Sequence, residues 1–80
     1  MMTQNKKDSQ DKTYLEHIDP TKNISKFWEI TVAEKKFSVY FGRIGTKGVV
    51  KEREFSSSES AIKEAEKAIA SKIKKGYRKR

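Results

Sequence analysis

The sequence predicts an α+β fold, in which a small antiparallel β-sheet of about four strands carries one C-terminal α-helix packed across it. Residues 14–55 contain runs rich in aromatic and β-branched residues, and short polar or glycine-containing segments separate these runs. From residue 58 onward the apolar side chains instead recur every three or four positions, which is the helical period. Because only 34% of the 80 residues are hydrophobic, we expect one domain with a thin core.

The first predicted strand covers residues 14–18 and ends at Asp19-Pro20, a residue pair that favours a turn. The strand is short, and an edge position in the sheet is one open alternative. Residues 21–26 are predicted to form a loop.

The clearest strand covers residues 27–33. Trp28, Ile30 and Val32 alternate onto one face of this strand, so we expect that face to belong to the core. Phe27 points to the opposite face, where we expect it to form a partly exposed platform.

Two further strands follow. Residues 34–36 form a tight polar connection to a strand at residues 37–44, which predicts an antiparallel hairpin. Residues 45–48 are a turn bracketed by glycines, and residues 49–55 return as a last strand. The charged residues of this last strand predict a solvated or edge position; they are Lys51, Glu52, Arg53 and Glu54.

The predicted helix follows a run of three serines and reaches Lys75, and Gly76 ends it. Ser56 with Glu59 fits a capping box, but Ser58 is an equally good N-cap, so the first residue of the helix stays open. The apolar stripe that should face the sheet consists of Ile62, Ala65, Ile69 and Ile73, widened by Ala61 and Ala68.

The chain divides into a predicted disordered tail at residues 1–12, a domain at residues 13–77 and a basic tail at residues 78–80. No apolar stretch approaches the roughly 20 residues that span a bilayer, and the N-terminus lacks the apolar segment of a secretory signal. We therefore expect a soluble, cytoplasmic protein that does not bind membranes through a span.

The formal net charge of +8 is concentrated toward the C-terminus. Residues 1–20 carry −1, residues 21–60 carry +3 and residues 61–80 carry +6. A surface of this kind attracts polyanions, because bound counterions are released and the field steers the partner. Charge alone does not separate DNA from RNA or from an anionic membrane.

Catalytic and metal chemistry find little support in the composition. The chain has no cysteine and one histidine, His17, so it offers no nucleophile–histidine–acid set and no thiolate metal site. We expect a protein that is not an enzyme and that holds neither a metal ion nor a cofactor.

The run from Tyr40 to Gly48, with Phe41-Gly42-Arg43 at its centre, resembles the signature of the WGR domain. That family is named for a Trp-Gly-Arg tripeptide at the end of a central strand, followed by a glycine turn. The resemblance covers about residues 14–77. Its further matches are the segments 26–30, 55–61 and 72–77, which resemble the preceding strand, the strand-to-helix junction and the helix exit of the family.

WGR domains occur in DNA-damage-dependent poly(ADP-ribose) polymerases and in bacterial proteins of the molybdate-metabolism-regulator type, including short stand-alone chains. In the polymerases the signature Trp packs on the sugar of a terminal nucleotide, and basic or polar neighbours approach the end phosphate. The resemblance implies this role for Phe41, Gly42 and Arg43. The chain departs from the pattern at Phe41, whose phenyl ring is smaller than indole and has no N–H, and at Ser25, where the polymerases tend to have Asn.

Each of these residues also has a purely structural interpretation. Phe41 is either a core side chain or a ring that stacks on a nucleotide, and the two interpretations weigh equally. Arg43 lies between glycines and favours a phosphate contact over an internal salt bridge. Tyr77 either stacks on a nucleotide or packs back on the sheet. The predicted nucleic-acid-binding residues are Phe41, Gly42, Arg43, Lys47, Lys72, Lys75, Tyr77 and Arg78.

Two functions therefore stay open. The first is a monomeric nucleic-acid-binding module, with DNA favoured over RNA and with a possible preference for strand ends or breaks. The second is an adapter that docks on a larger protein partner.

Overall fold

The computed structural model describes residues 11–80, and the predicted disorder of residues 1–10 lies outside this range. One antiparallel sheet has the strand order β4-β3-β2-β1-β5, with a single helix packed on one face, so the predicted α+β class is confirmed with one strand more than expected. The elements are β1 (Asp11–Asp19), β2 (Ile24–Ala33), β3 (Lys36–Arg43), β4 (Val49–Glu54), α1 (Ser58–Lys74) and β5 (Arg78–Lys79).

The two ends of the described chain belong to the sheet. Residues 11–12, assigned above to the tail, open β1, and residues 78–79, assigned to a basic tail, form β5. β5 pairs with the outer edge of β1, where Leu15 lies opposite Lys79 and Glu16 lies opposite Arg78. β1 is therefore covered on both sides along part of its length, because its unpaired backbone groups accept a further strand.

The loop predicted at residues 21–26 is shorter than expected. A single 3₁₀ turn, Pro20–Lys22, connects β1 to β2, and Asp19 caps it by accepting hydrogen bonds from the Thr21 N–H and hydroxyl. β2 then begins at Ile24, opposite Asp19. The pairing along β1 thus draws three further residues into the strand.

The core lies between α1 and the sheet, and the alternation predicted for β2 is found there. The buried side chains are Leu15, Trp28, Ile30, Val32, Phe37, Ala61 and Ala65, with Phe41 partly buried against them. A closely packed layer of this kind supplies most of the stability of a small domain.

The helix faces the sheet through its alanines. Ala61 and Ala65 are buried, and Ala68 and Ile69 pack against the core, as predicted. Ile62 and Ile73 remain 44% and 46% exposed, so the predicted stripe was too wide. The aromatic side chains of the sheet fill the space between the layers, and small helical residues let the helix approach them. Within the described residues no helix is long and apolar enough to cross a membrane.

The helix begins after Ser57, which was not one of the two caps considered above. The Ser57 hydroxyl accepts a hydrogen bond from the Ser60 N–H at 3.1 Å. The preceding Phe55 N–H still donates to the Lys35 carbonyl at 2.7 Å, so the chain leaves the sheet only at residue 56. This tether determines which of three similar serines takes the cap position.

The opposite face of the sheet carries Phe27, which is buried at 5% exposure, so the expectation of an exposed platform was wrong. Its ring packs on the rings of Tyr14 and Tyr40, with centroids 6.5 and 4.8 Å away. Gly48 packs directly against the Phe27 ring, because a Cβ there would lie 2.7 Å from Phe27 Cζ. The turn that follows β3 therefore folds back over this aromatic group.

We predict that Gly48→Ala is much more destabilising than Gly45→Ala. Both glycines have positive φ, +74° and +92°, so either substitution should lower the free energy of unfolding by about 1–2 kcal/mol through backbone strain. At Gly48 the new methyl group would also clash with neighbouring atoms. This clash should lower the free energy of unfolding by about 1–3 kcal/mol more. Urea denaturation measures both variants, and equal losses would contradict the close packing of this turn.

We predict that the Tyr14 hydroxyl loses its proton at a higher pH than an ordinary tyrosine. The Tyr14 hydroxyl donates to Glu16 Oε2 at 2.7 Å, and this hydrogen bond is the main reason that the pKa of Tyr14 is raised to about 12. A raised pKa means that the bond stabilises the fold fully below pH 10.0 and that this contribution is lost as the pH rises to about 12.

The variant Glu16→Ala should return the pKa of Tyr14 toward its ordinary value. Glu29 raises this pKa only by its more distant charge, so Glu29→Ala is the matched control and should have little effect. NMR titration of the Tyr14 ring signals measures the shift. An unchanged pKa in Glu16→Ala would contradict the hydrogen bond.

Candidate nucleic-acid interface

The end of β3 lies beside the start of β2, and their register sets the first part of the site. Arg43 pairs with Lys26, Gly42 with Phe27, and Phe41 with Trp28. Because side chains alternate along a strand, Phe41 and Arg43 point to the helix side of the sheet, as do Trp28 and Lys26.

The last turn of α1 supplies the second part. The Gly76 N–H donates to the Ile73 carbonyl and the Tyr77 N–H to the Lys72 carbonyl, at 3.1 and 3.0 Å, which is the Schellman pattern. Gly76 has φ +112°, and a Cβ there would lie 2.9 Å from His17 Nε2, so the helix end fits closely against β1. Tyr77 then packs on His17, with ring centroids 5.2 Å apart.

Lys72 projects from this helix end over the sheet. Its Nζ lies 5.9 Å from the centroid of the Trp28 ring and 5.4 Å from that of Tyr77, within the range of cation–π attraction. The pKa of Lys72 is lowered, first because burial disfavours the charged form and then because Lys75 and Lys26 repel it. An anion bound beside Lys72 would reverse the repulsion and stabilise the ammonium.

These two parts enclose a concavity of about 380 Å³, which we call the strand-end hollow. Its lining residues are Lys26, Phe27, Trp28, Phe41, Gly42, Arg43, Lys72 and Tyr77. Three of them are cations and none is a carboxylate. The hollow therefore combines aromatic surface with an uncompensated positive charge.

Phe41 packs on the core in part, and its role in stacking on a nucleotide stays a prediction. Its ring packs partly against the core, yet it remains half-buried and lines the hollow. Arg43 is exposed, and within residues 11–80 its guanidinium forms no ion pair with a carboxylate. The Arg43 carbonyl accepts hydrogen bonds from the N–H and hydroxyl of Thr46, so the backbone is fixed while the side chain is free to reach an anion.

Gly42 has a steric role at this point. A Cβ on Gly42 would lie 2.8 Å from Gly48 Cα, so the turn after β3 lies directly against the strand. The glycine of the signature is thus explained by close backbone approach. Gly45 and Gly48 have the positive φ values expected of them.

The structure brings together five of the eight predicted site residues in the strand-end hollow, namely Phe41, Gly42, Arg43, Lys72 and Tyr77. Lys75 lines a neighbouring groove that also contains Phe41 and Lys72. Lys47 and Arg78 lie elsewhere. The Lys47 carbonyl accepts a hydrogen bond from the Tyr40 hydroxyl on the other face of the sheet. Arg78 lies in β5, opposite Glu16 of β1 in the strand register.

Sequence reasoning missed Lys26 and assigned Trp28 to the core alone. Both line the hollow, and only the register of β2 with β3 reveals it. Lys72 was predicted from the basic C-terminal segment, and its position above the sheet follows the core-facing helical series of Ala61, Ala65 and Ala68. Within the part of the chain that the structure describes, no three His, Cys, Asp or Glu side chains cluster as metal ligands would.

Comparison with known proteins agrees with this geometry. The family model of the WGR domain matches residues 11–80. A crystal structure of a protein from Bacteroides fragilis superposes with a TM-score of 0.82 at 37% identity, covering 88% of this chain and 19% of that one.

Two curated relatives have similar sequences. Uncharacterized protein YfeS of Escherichia coli (strain K12) is 42% identical over 53 residues, which are 66% of this chain and 22% of the relative. Uncharacterized protein y4dW of Sinorhizobium fredii is 31% identical over 72 residues, with 84% of this chain and 35% of the relative covered. The chain thus spans less than half the length of each of these proteins.

The match extends over every strand and the helix described above, and it includes the residues of the strand-end hollow. WGR domains are known in general as nucleic-acid-binding modules. The chain belongs to the WGR domain family.

Proposed function

We propose that this domain binds DNA, and preferentially DNA ends, through the strand-end hollow. The observation that carries the proposal is that three cations, Lys26, Arg43 and Lys72, surround an aromatic concavity whose lining contains no carboxylate. Phosphate is the anion that such a set of charges suits, and aromatic rings are the surface on which sugars and bases pack.

The cations have different roles in this proposal. Arg43 is exposed and planar, so it can hold two phosphate oxygens at once. Lys72 is positioned by two rings and partly desolvated, so its attraction to phosphate is screened less by water. Lys26 repels Lys72, and a bound phosphate between them offsets that repulsion.

The size of the hollow supports a preference for ends. A concavity of about 380 Å³ suits one nucleotide better than a continuous duplex. A nucleotide inside a duplex reaches such a site only by leaving the stack, which costs a few kcal/mol, whereas a terminal nucleotide is partly free already. The preference for DNA over RNA rests on family membership alone.

We predict salt-dependent binding of a linear duplex. If about five phosphates are contacted, the logarithm of the affinity should fall with the logarithm of salt concentration with a slope of about −4 to −5. Fluorescence anisotropy with blunt, nicked and circular DNA measures the slope and the end preference. Competition with single-stranded RNA tests the choice of nucleic acid.

Arg43→Ala should weaken binding to all DNA forms, and Phe41→Ala should in addition abolish the preference for linear over circular DNA. No binding at low salt would overturn the proposal. Equal affinity of the unmodified protein for circular and linear DNA would overturn only its preference for ends.

We predict that Lys72→Ala weakens DNA binding and reduces the salt slope by about one, because one phosphate contact is lost. The matched control is Lys63→Ala, which also removes one lysine from α1 but from an exposed position outside the hollow. The same titrations measure both variants. If the two substitutions change the slope equally, only the net charge of the helix matters and the hollow is not the site.

A second candidate function, docking on a protein partner, is favoured by the outer strand of the sheet. Val49 and Val50 on β4 are 52% and 60% exposed, and β4 pairs with β3 on one side only among the described residues. A partner captured after nuclease treatment, and lost with Val50→Lys while DNA binding is unchanged, would support docking as a function separate from the first.

A further inference from the structure

A second concavity adjoins the strand-end hollow. The helix packs on β2 and β3, so a groove of about 430 Å³ is left between α1 and β4. We call it the helix–strand groove. Its floor comes from β3 and α1, and its rims come from β4 and α1.

The floor of the groove is apolar. Val39 and Phe41 contribute partly buried side chains from β3, and Ala68 is the helical residue above them. Because Ala68 ends at Cβ, the helix leaves room over the Phe41 ring. The volume lies within the range of about 300–1,000 Å³ that is typical of small-molecule sites.

The rims of the groove are positive. β4 contributes Lys51 and Arg53, and α1 contributes Lys72 and Lys75, against one carboxylate, Glu52. Lys51 Nζ lies 6.0 Å from the centroid of the Phe41 ring. A flat apolar group with an anion on either side of it would match this arrangement, and a nucleobase with its flanking phosphates is such a group.

The groove is continuous with the strand-end hollow, because Trp28, Phe41 and Lys72 line both. We infer that the helix–strand groove binds the base of an unpaired nucleotide adjacent to the one held in the strand-end hollow. The preferred ligand is then a DNA end with a single-stranded overhang. This inference rests on the proposed function, and it specifies which kind of DNA end the domain prefers.

An extended acidic peptide matches the groove less well. Such a peptide would bind by adding to the sheet, and the unpaired backbone groups of β4 lie along its outer edge, away from the groove.

The test compares three duplexes that share one sequence: a blunt duplex, the same duplex with a short thymine overhang, and the same duplex with an abasic overhang. The abasic overhang supplies the added phosphates without the bases. Fluorescence anisotropy at several salt concentrations should show the thymine overhang binding about tenfold more tightly than the abasic one, since stacking of one base on an aromatic surface contributes that much. Overhangs of both polarities are included.

Ala68→Leu fills the groove without touching the strand-end hollow, so it should abolish the advantage of the thymine overhang and leave blunt-duplex affinity unchanged. Ala70→Leu makes the same change at an exposed position of α1 and should leave both affinities unchanged. If Ala68→Leu does not fold, Lys51→Ala replaces it, and the overhang affinity alone should fall severalfold.

Equal affinity for thymine and abasic overhangs would overturn the inference while leaving the proposed function intact. Equal loss of blunt and overhang binding in Ala68→Leu would also overturn it. If no duplex binds at low salt, the proposed function fails, and this inference fails with it.

Discussion

The docking of the last turn of α1 against β1 shapes the strand-end hollow. Gly76 lets the backbone lie against His17, and the Schellman bonds then place Tyr77 on the sheet and Lys72 above Trp28. A side chain at residue 76 would crowd the His17 ring and would be strained at φ +112°. Gly76 thus contributes to the position of the Lys72 ammonium group through the packing of the helix end.

Close backbone approach governs the other half of the site in the same way. Gly42 and Gly48 touch through their backbones, so the turn after β3 folds back against the strand and covers Phe27 on the far face. The aromatic side chains therefore lie on both faces of the sheet. Phe27 serves stability on one face, and Phe41 remains half-buried on the other, where it lines both positively charged concavities.

The sequence was informative where local rules apply and uninformative where distant segments meet. Alternation predicted Trp28 as a core residue, and the glycine-flanked signature predicted the end of β3 as the site. The role of Lys26 depends on the register between β2 and β3, which no local pattern contains. The burial of Phe27 depends on a turn that returns from residue 48. The phase of the helix was predicted correctly, but the apolar stripe was drawn too wide, because Ile62 and Ile73 lie at its exposed margins.

The central claim is that an aromatic concavity with three cations and no carboxylate holds a nucleotide at a DNA end. Chemical-shift mapping with a short duplex that carries a 5′-phosphate tests it most directly, because every residue reports independently. The account predicts that the largest shifts fall on Lys26, Phe41, Arg43 and Lys72. Shifts confined to Lys47 and Arg78, on the opposite face, or spread evenly over all lysines, would contradict it.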